Sequence, residues 1–232
     1  MSQNKLPKPS SAAEVSKFLH QAAATPVVRG ARGRLIFALD ATASRQPTWD
    51  RACQLQAEMF TETARLGGLD LQLVWYRGFG EFTASPWLSE GSQLVKRMVS
   101  VTCAGGLTQL ERVLAHAVNE TRKHRINALV FIGDCMEENL DKLCFQAGQL
   151  GLLGVPAFLF QEGNDPVAAR AFRQIAQLSH GAYCAFDQGS AKQLRKLLNA
   201  VAVYAAGGRS ALESLGRREG GLVLQLTKQL RK

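Results

Sequence analysis

The sequence predicts an α/β protein with a doubly wound, mostly parallel central sheet and helices on both faces. Three short runs, 35–39, 129–132 and 157–160, are apolar without alternating with polar residues. A strand that is apolar on both faces is covered on both faces, as in a parallel sheet between helices. The segments between these runs carry apolar residues at helical spacing, so strands and helices alternate along the chain.

Two weaker strands and several helices complete the expected pattern. The run 69–76 alternates partly and predicts a strand nearer an edge, and 182–186 predicts a short last strand. Apolar stripes predict helices over 48–66, 166–178, the stretch that follows Thr108, and the stretch that follows Ser190. Strands that alternate with helices of this length form right-handed crossovers, which gives a Rossmann-like arrangement.

The pattern predicts one domain over residues 34–208 with a basic extension at each end. The extension 1–33 contains a possible helix over 11–24, and 209–232 contains two glycine pairs as helix breakers. The formal charge of +9 divides into +5 in residues 1–34 and +4 in 209–232, which leaves 35–208 neutral. A neutral middle offers no focused basic groove, and neither end interleaves aromatic residues for base stacking, so we do not expect nucleic-acid binding.

The apolar runs and the cysteines indicate in which cellular compartment we expect the protein. No run reaches the roughly 18 apolar residues that a membrane span requires, and the first residues are polar, so we expect a cytoplasmic protein that does not contact membranes. The five cysteines are scattered and odd in number, which argues against a disulfide framework or a zinc ribbon. We expect reduced and mostly buried thiols.

Oxygen-bearing side chains follow the predicted strands where those strands end. Asp40 ends the first apolar run and begins the segment Asp-Ala-Thr-Ala-Ser, which contains Thr42 and Ser44, and Asp134 follows the run 129–132. Thr108 follows two glycines at the start of a predicted helix. The carboxyl ends of parallel strands meet at one edge of a sheet, and Mg²⁺ prefers carboxylate and hydroxyl oxygens over histidine or thiolate. These five residues therefore form a candidate cation site.

This pattern resembles the metal-ion-dependent adhesion site (MIDAS) of von Willebrand factor type A (VWA) domains. That signature is D-x-S-x-S after the first strand, a later loop threonine and an aspartate after the fourth strand. The resemblance covers residues 34–206 and is closest to short single-domain cytoplasmic bacterial members. It implies that Thr42, Ser44 and Thr108 contact Mg²⁺ or Mn²⁺, that Asp40 and Asp134 hold the ion partly through water, and that an Asp or Glu of a protein partner completes the shell.

Two positions depart from that signature, and each residue of the set has an ordinary structural alternative. Thr42 stands where serine is commoner, and Cys135 follows Asp134 where glycine is frequent. The aspartates and hydroxyls could instead cap helices or satisfy loop amides. The pair Glu137-Glu138 predicts the solvated first turn of a helix more readily than a second metal site.

Other functions remain as alternatives to a metal-dependent interaction domain without catalysis. A magnesium-dependent phosphatase could use Asp40 as its nucleophile, but such enzymes usually carry a second acid two residues later, where Thr42 stands. A metal-independent scaffold, in a stress-response or ATPase-associated complex, could use its chain ends or a sheet edge, or an aromatic-rich stretch, as its contact surface. That stretch contains Trp75, Tyr76, Phe79 and Phe82. Core packing is the simpler explanation of these four residues.

Overall fold

The computed structural model describes residues 32–43, 46, 49–50, 68–186 and 191–230. These residues form a six-stranded sheet with the spatial order β3-β2-β1-β4-β5-β6. The strands are β1 (Gly33–Asp40), β2 (Leu69–Arg77), β3 (Glu81–Ala84), β4 (Ala128–Gly133), β5 (Ala157–Glu162) and β6 (Ala182–Phe186). All neighbouring strands pair in parallel except β2 and β3. The predicted doubly wound, mostly parallel sheet is therefore confirmed.

Six described helices cover the two faces of the sheet. They are α1 (Gly91–Val99), α2 (Leu110–Lys123), α3 (Leu140–Leu152), α4 (Pro166–Leu178), α5 (Ala191–Glu219) and α6 (Gly221–Gln229). Apolar residues of α1, α5 and α6 pack on one face, and those of α2, α3 and α4 pack on the other. Helix α4 spans the predicted residues, because Asp165 caps its first turn and Pro166 occupies the position where a missing N–H costs nothing.

Strand β1 shows why an unbroken apolar run was the correct signal for a central strand. Leu35, Phe37 and Leu39 point into the core cluster on one face, whereas Ile36 and Ala38 point into the cluster on the other face. All five are at most 2% exposed. Successive side chains of a strand alternate between its faces, so a strand covered on both sides needs apolar residues at every position.

The edge beyond β2 contains a hairpin that the apolar pattern did not predict. Strand β3 is four residues long and pairs antiparallel with the end of β2 through a turn at Gly78 and Gly80. Both glycines have positive φ, which suits a tight turn between two antiparallel strands. The partly alternating run at β2 was correctly assigned to a position near an edge, since β2 lies second from it.

The C-terminal residues extend the helical layer on one face. Helix α5 kinks at Gly208, where φ is 70°, and the segment beyond that kink contributes Leu212 and Leu215 to the same core cluster as β1. The amide of Gln229 accepts a hydrogen bond from the Tyr183 N–H and donates one to the Tyr183 carbonyl, at 2.9 and 3.0 Å. This side chain covers part of the free edge of β6. The domain boundary at residue 208 stays a prediction.

Several expectations fall on residues 1–31 and 51–67, which lie outside the described ranges, among them the helix over 11–24 and most of the helix over 48–66. Within the described ranges, no helix has the length and apolar content needed to cross a membrane. Among the described residues, Cys103, Cys135, Cys144 and Cys184 form no disulfide. All four are half-buried, so the expectation of mostly buried thiols was wrong for them. Cys103 and Cys135 lie in loops, Cys144 lies in α3 and Cys184 lies in the edge strand β6.

Gly106 is held in close contact with the backbone of Gly78, and a Cβ there would lie 2.2 Å from the Gly78 carbonyl oxygen. We expect Gly106→Ala to lower the free energy of unfolding by about 1–3 kcal/mol, because backbone atoms would have to move apart. Urea denaturation followed by circular dichroism measures this change.

The matched control is Gly148→Ala within α3, where nothing lies within 4 Å of the added Cβ. This control should be neutral or stabilise the protein by up to about 1 kcal/mol. Equal effects of the two changes would contradict the packing argument.

Candidate metal centre

Strand pairing places the two predicted aspartates at the same edge of the sheet. Strand β1 pairs with β4 so that Leu39 lies opposite Ile132. Asp40 is therefore the last residue of β1, and Asp134 follows directly after the end of β4 on the neighbouring strand. Asp40 is 2% exposed and Asp134 is half-buried.

The segment after β1 turns sharply at Asp40. The Thr42 N–H donates to Asp40 Oδ1 at 2.7 Å, and the Ala41 N–H donates to the Tyr76 carbonyl at 2.9 Å. This local bond explains why a short polar residue ends the strand, because an aspartate can accept the bond that would otherwise need a backbone partner. Thr42 is buried beside Asp40. Ser44 lies outside the described residues, so its place in the site stays a prediction.

Thr108 reaches this edge through a loop that contacts both neighbouring segments. The Ala104 N–H donates to the Ala41 carbonyl at 3.0 Å, and the Leu107 N–H donates to the Gly78 carbonyl at 3.3 Å. The Thr108 hydroxyl accepts a bond from the Glu137 N–H at 3.2 Å. A hydroxyl oxygen has a second lone pair, so this bond leaves an acceptor position that a cation can use.

The two glutamates after Asp134 hold the loop in place. Glu138 accepts from the N–H groups of Leu110 and Glu111 at 2.5 and 2.9 Å. Glu137 accepts from the Thr108 N–H at 3.3 Å. The expected solvated first turn of a helix is wrong, because α3 begins only at Leu140 and the glutamates bind the start of α2 instead. A carboxylate at a helix N-terminus satisfies amides that have no partner inside the helix.

Asp40, Asp134 and Cys135 form a compact group of side chains that could hold a metal ion. Their potential ligand atoms all lie within 4.8 Å of one another. Burial raises the pKa of the Cys135 thiol to about 12, and the charge of Asp134 and a hydrogen bond to it add to this effect. Burial also raises the pKa of Tyr76 well above its ordinary value, with a further contribution from the charge of Asp40. The group therefore combines carboxylates with a thiol that is protonated at neutral pH.

The sequence did not predict the position of Cys135 beside the aspartates or the hydrogen bonds of Glu137 and Glu138. A signal was available for the glutamates, because two acids lie three and four residues after Asp134 and before a helix. Their partners, however, are backbone amides 27 or more residues away, and no local pattern predicts such a contact. Cys135 was identified only as a departure from the expected glycine, although it lies beside both aspartates.

The aromatic-rich stretch around the hairpin divides between core and surface. Tyr76 is fully buried, whereas Phe79 at the tip of the hairpin is 90% exposed. The Gln109 amide donates to the carbonyls of Arg77 and Glu81, each at 3.3 Å. The hairpin tip is therefore fixed next to the Thr108 loop while its phenyl ring remains in solvent.

Comparisons with solved structures support the fold. No family model and no curated protein matches the sequence. Among solved structures, the SpRpn10 VWA domain has a TM-score of 0.54 at 11% identity, over 77% of this chain and 97% of that one. The vWF domain of the pili tip protein Mfa5 from Porphyromonas gingivalis has a TM-score of 0.55 at 9% identity, over 74% and 94%. The PilB minor pilin of Streptococcus sanguinis, as its D319A mutant, has a TM-score of 0.57 at 8% identity, over 85% and 65%. The chain has the fold of a VWA domain.

Removing the carboxylate of Glu138 should destabilise the loops around the site, because it binds the start of α2. We expect Glu138→Ala to lower the free energy of unfolding by about 1 kcal/mol, because the amides of Leu110 and Glu111 lose a charged acceptor. Thermal or urea denaturation measures the change. Glu90→Ala is the matched control, since Glu90 precedes α1 but makes no capping bond with its side chain. The control should change stability by less than about 0.5 kcal/mol. A Glu138→Ala protein as stable as this control would contradict the capping role.

Proposed function

We propose that this chain is a non-enzymatic protein-interaction domain that binds Mg²⁺ or Mn²⁺ at a MIDAS-like site and contacts its partner through that ion. The observation that supports this most directly is the convergence of Asp40 and Asp134 with Cys135 within 4.8 Å at the carboxyl edge of the sheet. The buried hydroxyl residues Thr42 and Thr108 belong to the loops that meet there.

The chemistry of these donors fits a hard cation. Two carboxylates this close repel each other, and a divalent cation is one group that offsets this repulsion. In the proposed site, Thr42, Ser44 and Thr108 offer hydroxyl oxygens to the ion, and Asp40 and Asp134 hold it at least partly through water. When bound, the ion supplies a positive charge with a position open to an outside oxygen ligand.

The partner we propose is a protein that presents an Asp or Glu side chain to this open position. Hydroxyl ligands leave the ion only partly neutralised, so a carboxylate from outside completes its shell with favourable charge. The proposal includes no nucleophile, because Asp40 is followed two residues later by Thr42 where a phosphatase of the aspartyl class usually carries its acid. A cytoplasmic bacterial setting belongs to the same proposal, as the resemblance to short single-domain members suggests.

A metal-independent scaffold is the second candidate, and the exposed ring of Phe79 favours it. This ring lies at the tip of a hairpin that Gln109 holds in place, and the neighbouring Leu107 is 54% exposed. Rigid apolar residues in solvent are common in protein contacts. In this case the partner would bind the hairpin whether or not a cation is present.

Replacing Asp40 should remove cation binding. We expect Mg²⁺ to bind the wild-type chain in the millimolar range or more tightly, and Asp40→Ala to weaken that binding by at least about tenfold. Isothermal titration calorimetry measures both affinities. Asp141→Asn is the matched control, because this exposed acid lies in the first turn of α3 and outside the site. It should bind Mg²⁺ like the wild type.

Three results would count against this function. If neither the wild type nor the control binds at millimolar Mg²⁺, the metal-site proposal is wrong and the scaffold is favoured. Equal binding by Asp40→Ala would place the ion elsewhere. Metal-dependent turnover of phosphate esters that Asp40→Asn abolishes would replace the interaction domain with an enzyme.

A further inference from the structure

We propose that Cys135 determines which cations the site prefers, by binding thiophilic divalent ions such as Zn²⁺ or Co²⁺ directly through its Sγ. This inference rests on the proposed metal site and adds a ligand that an all-oxygen site lacks. Mg²⁺ would bind through oxygen atoms alone. The site would therefore accept both classes of ion but hold the thiophilic class more tightly.

The geometry allows a single ion to contact all three side chains. Metal–oxygen bonds of about 2.1 Å and metal–sulfur bonds of about 2.3 Å in a tetrahedral shell separate the donor atoms by about 3.6 Å. The ligand atoms of Asp40, Asp134 and Cys135 lie within 4.8 Å of one another. They need to approach by at most about 1.2 Å, which rotation about side-chain bonds can supply.

The backbone around Cys135 is fixed by its neighbours and does not depend on the thiol. Glu137 exchanges hydrogen bonds with Thr108, and Glu138 binds the start of α2. Asn139 accepts from the Lys142 N–H at 3.1 Å and caps α3. A change confined to Sγ should therefore leave the loop and both aspartates in place.

A sulfur ligand distinguishes thiophilic ions such as Zn²⁺ and Co²⁺ from Mg²⁺. Thiolates favour zinc and similar borderline or soft ions, whereas carboxylates, hydroxyls and water suit Mg²⁺. When the thiol binds an ion it loses its proton to solvent, and the sulfur replaces a water ligand. With Asp40 and Asp134 it would form a mixed oxygen–sulfur set, to which the hydroxyl of Thr108 can add.

A second role for Cys135 has to be separated from direct binding. The thiol also makes a hydrogen bond to Asp134, so Cys135 could merely position that carboxylate. Serine keeps a hydrogen-bond donor of similar size but removes the sulfur. Cys135→Ser therefore retains the positioning role and loses only the sulfur ligand.

The test is a titration of the full chain with Co²⁺, followed by the sulfur-to-cobalt charge-transfer band in the near ultraviolet. We expect the wild type to show this band and Cys135→Ser to lack it, with Co²⁺ binding weakened by at least about tenfold. Cys144→Ser is the matched control, since Cys144 is a half-buried free thiol on α3 that contacts Gln174. It should keep both the band and the affinity. Mg²⁺ binding, measured by calorimetry, should be the same in all three proteins.

Each other outcome is decisive. Absence of Co²⁺ binding, Co²⁺ binding without the band, or a band that persists in Cys135→Ser would overturn the role of Cys135. Loss of Mg²⁺ binding in Cys135→Ser would also overturn it, because the residue would then act on the whole site. The proposed function fails separately: a cobalt band that depends on Cys135, in a protein that does not bind Mg²⁺, would support the sulfur ligand and contradict the Mg²⁺ site.

Discussion

The parallel pairing of β1 with β4 is the constraint on which the candidate site depends. The register that sets Leu39 opposite Ile132 brings the ends of two non-consecutive strands together, although Asp40 and Asp134 are 94 residues apart in the chain. Burial on both faces holds that register, because shifting a strand by one residue would exchange its two sets of side chains between the core clusters. The aspartates need no contact with each other to be placed side by side.

The loops around the aspartates are held to one another by hydrogen bonds and by close backbone packing. Thr108 is bound to Glu137, and Glu138 satisfies the first amides of α2, so the loop after β4 is tied to the loop before α2. The close approach of Gly106 to Gly78 ties the same loop to the hairpin. Because these backbone contacts do not involve the side chain of Cys135, the role that we propose for its sulfur requires no change in the fold.

Sequence reasoning predicted what local patterns encode. It identified β1, β4, β5 and the position of β2, since buried strands appear as unbroken apolar runs, and it identified α4 from a stripe with a clear start. It missed β3, which has four partly exposed residues, and α1, where Leu94 and Met98 alone are buried. It predicted that Asp40, Thr42, Thr108 and Asp134 lie at the carboxyl edge of the sheet. It could not predict that Glu138 caps α2, because that contact depends on the tertiary structure. Ser44 lies outside the described residues.

The proposed function requires a divalent cation to bind at the carboxyl edge between β1 and β4. Paramagnetic broadening by Mn²⁺ in amide NMR spectra tests it most directly, because the effect depends on distance from the ion. We expect the signals of Thr42, Thr108 and Cys135 to disappear first, while those of Asn127 and Gly181, which precede β4 and β6, persist. Broadening that is uniform, or that centres on α6 or the chain ends, would contradict it.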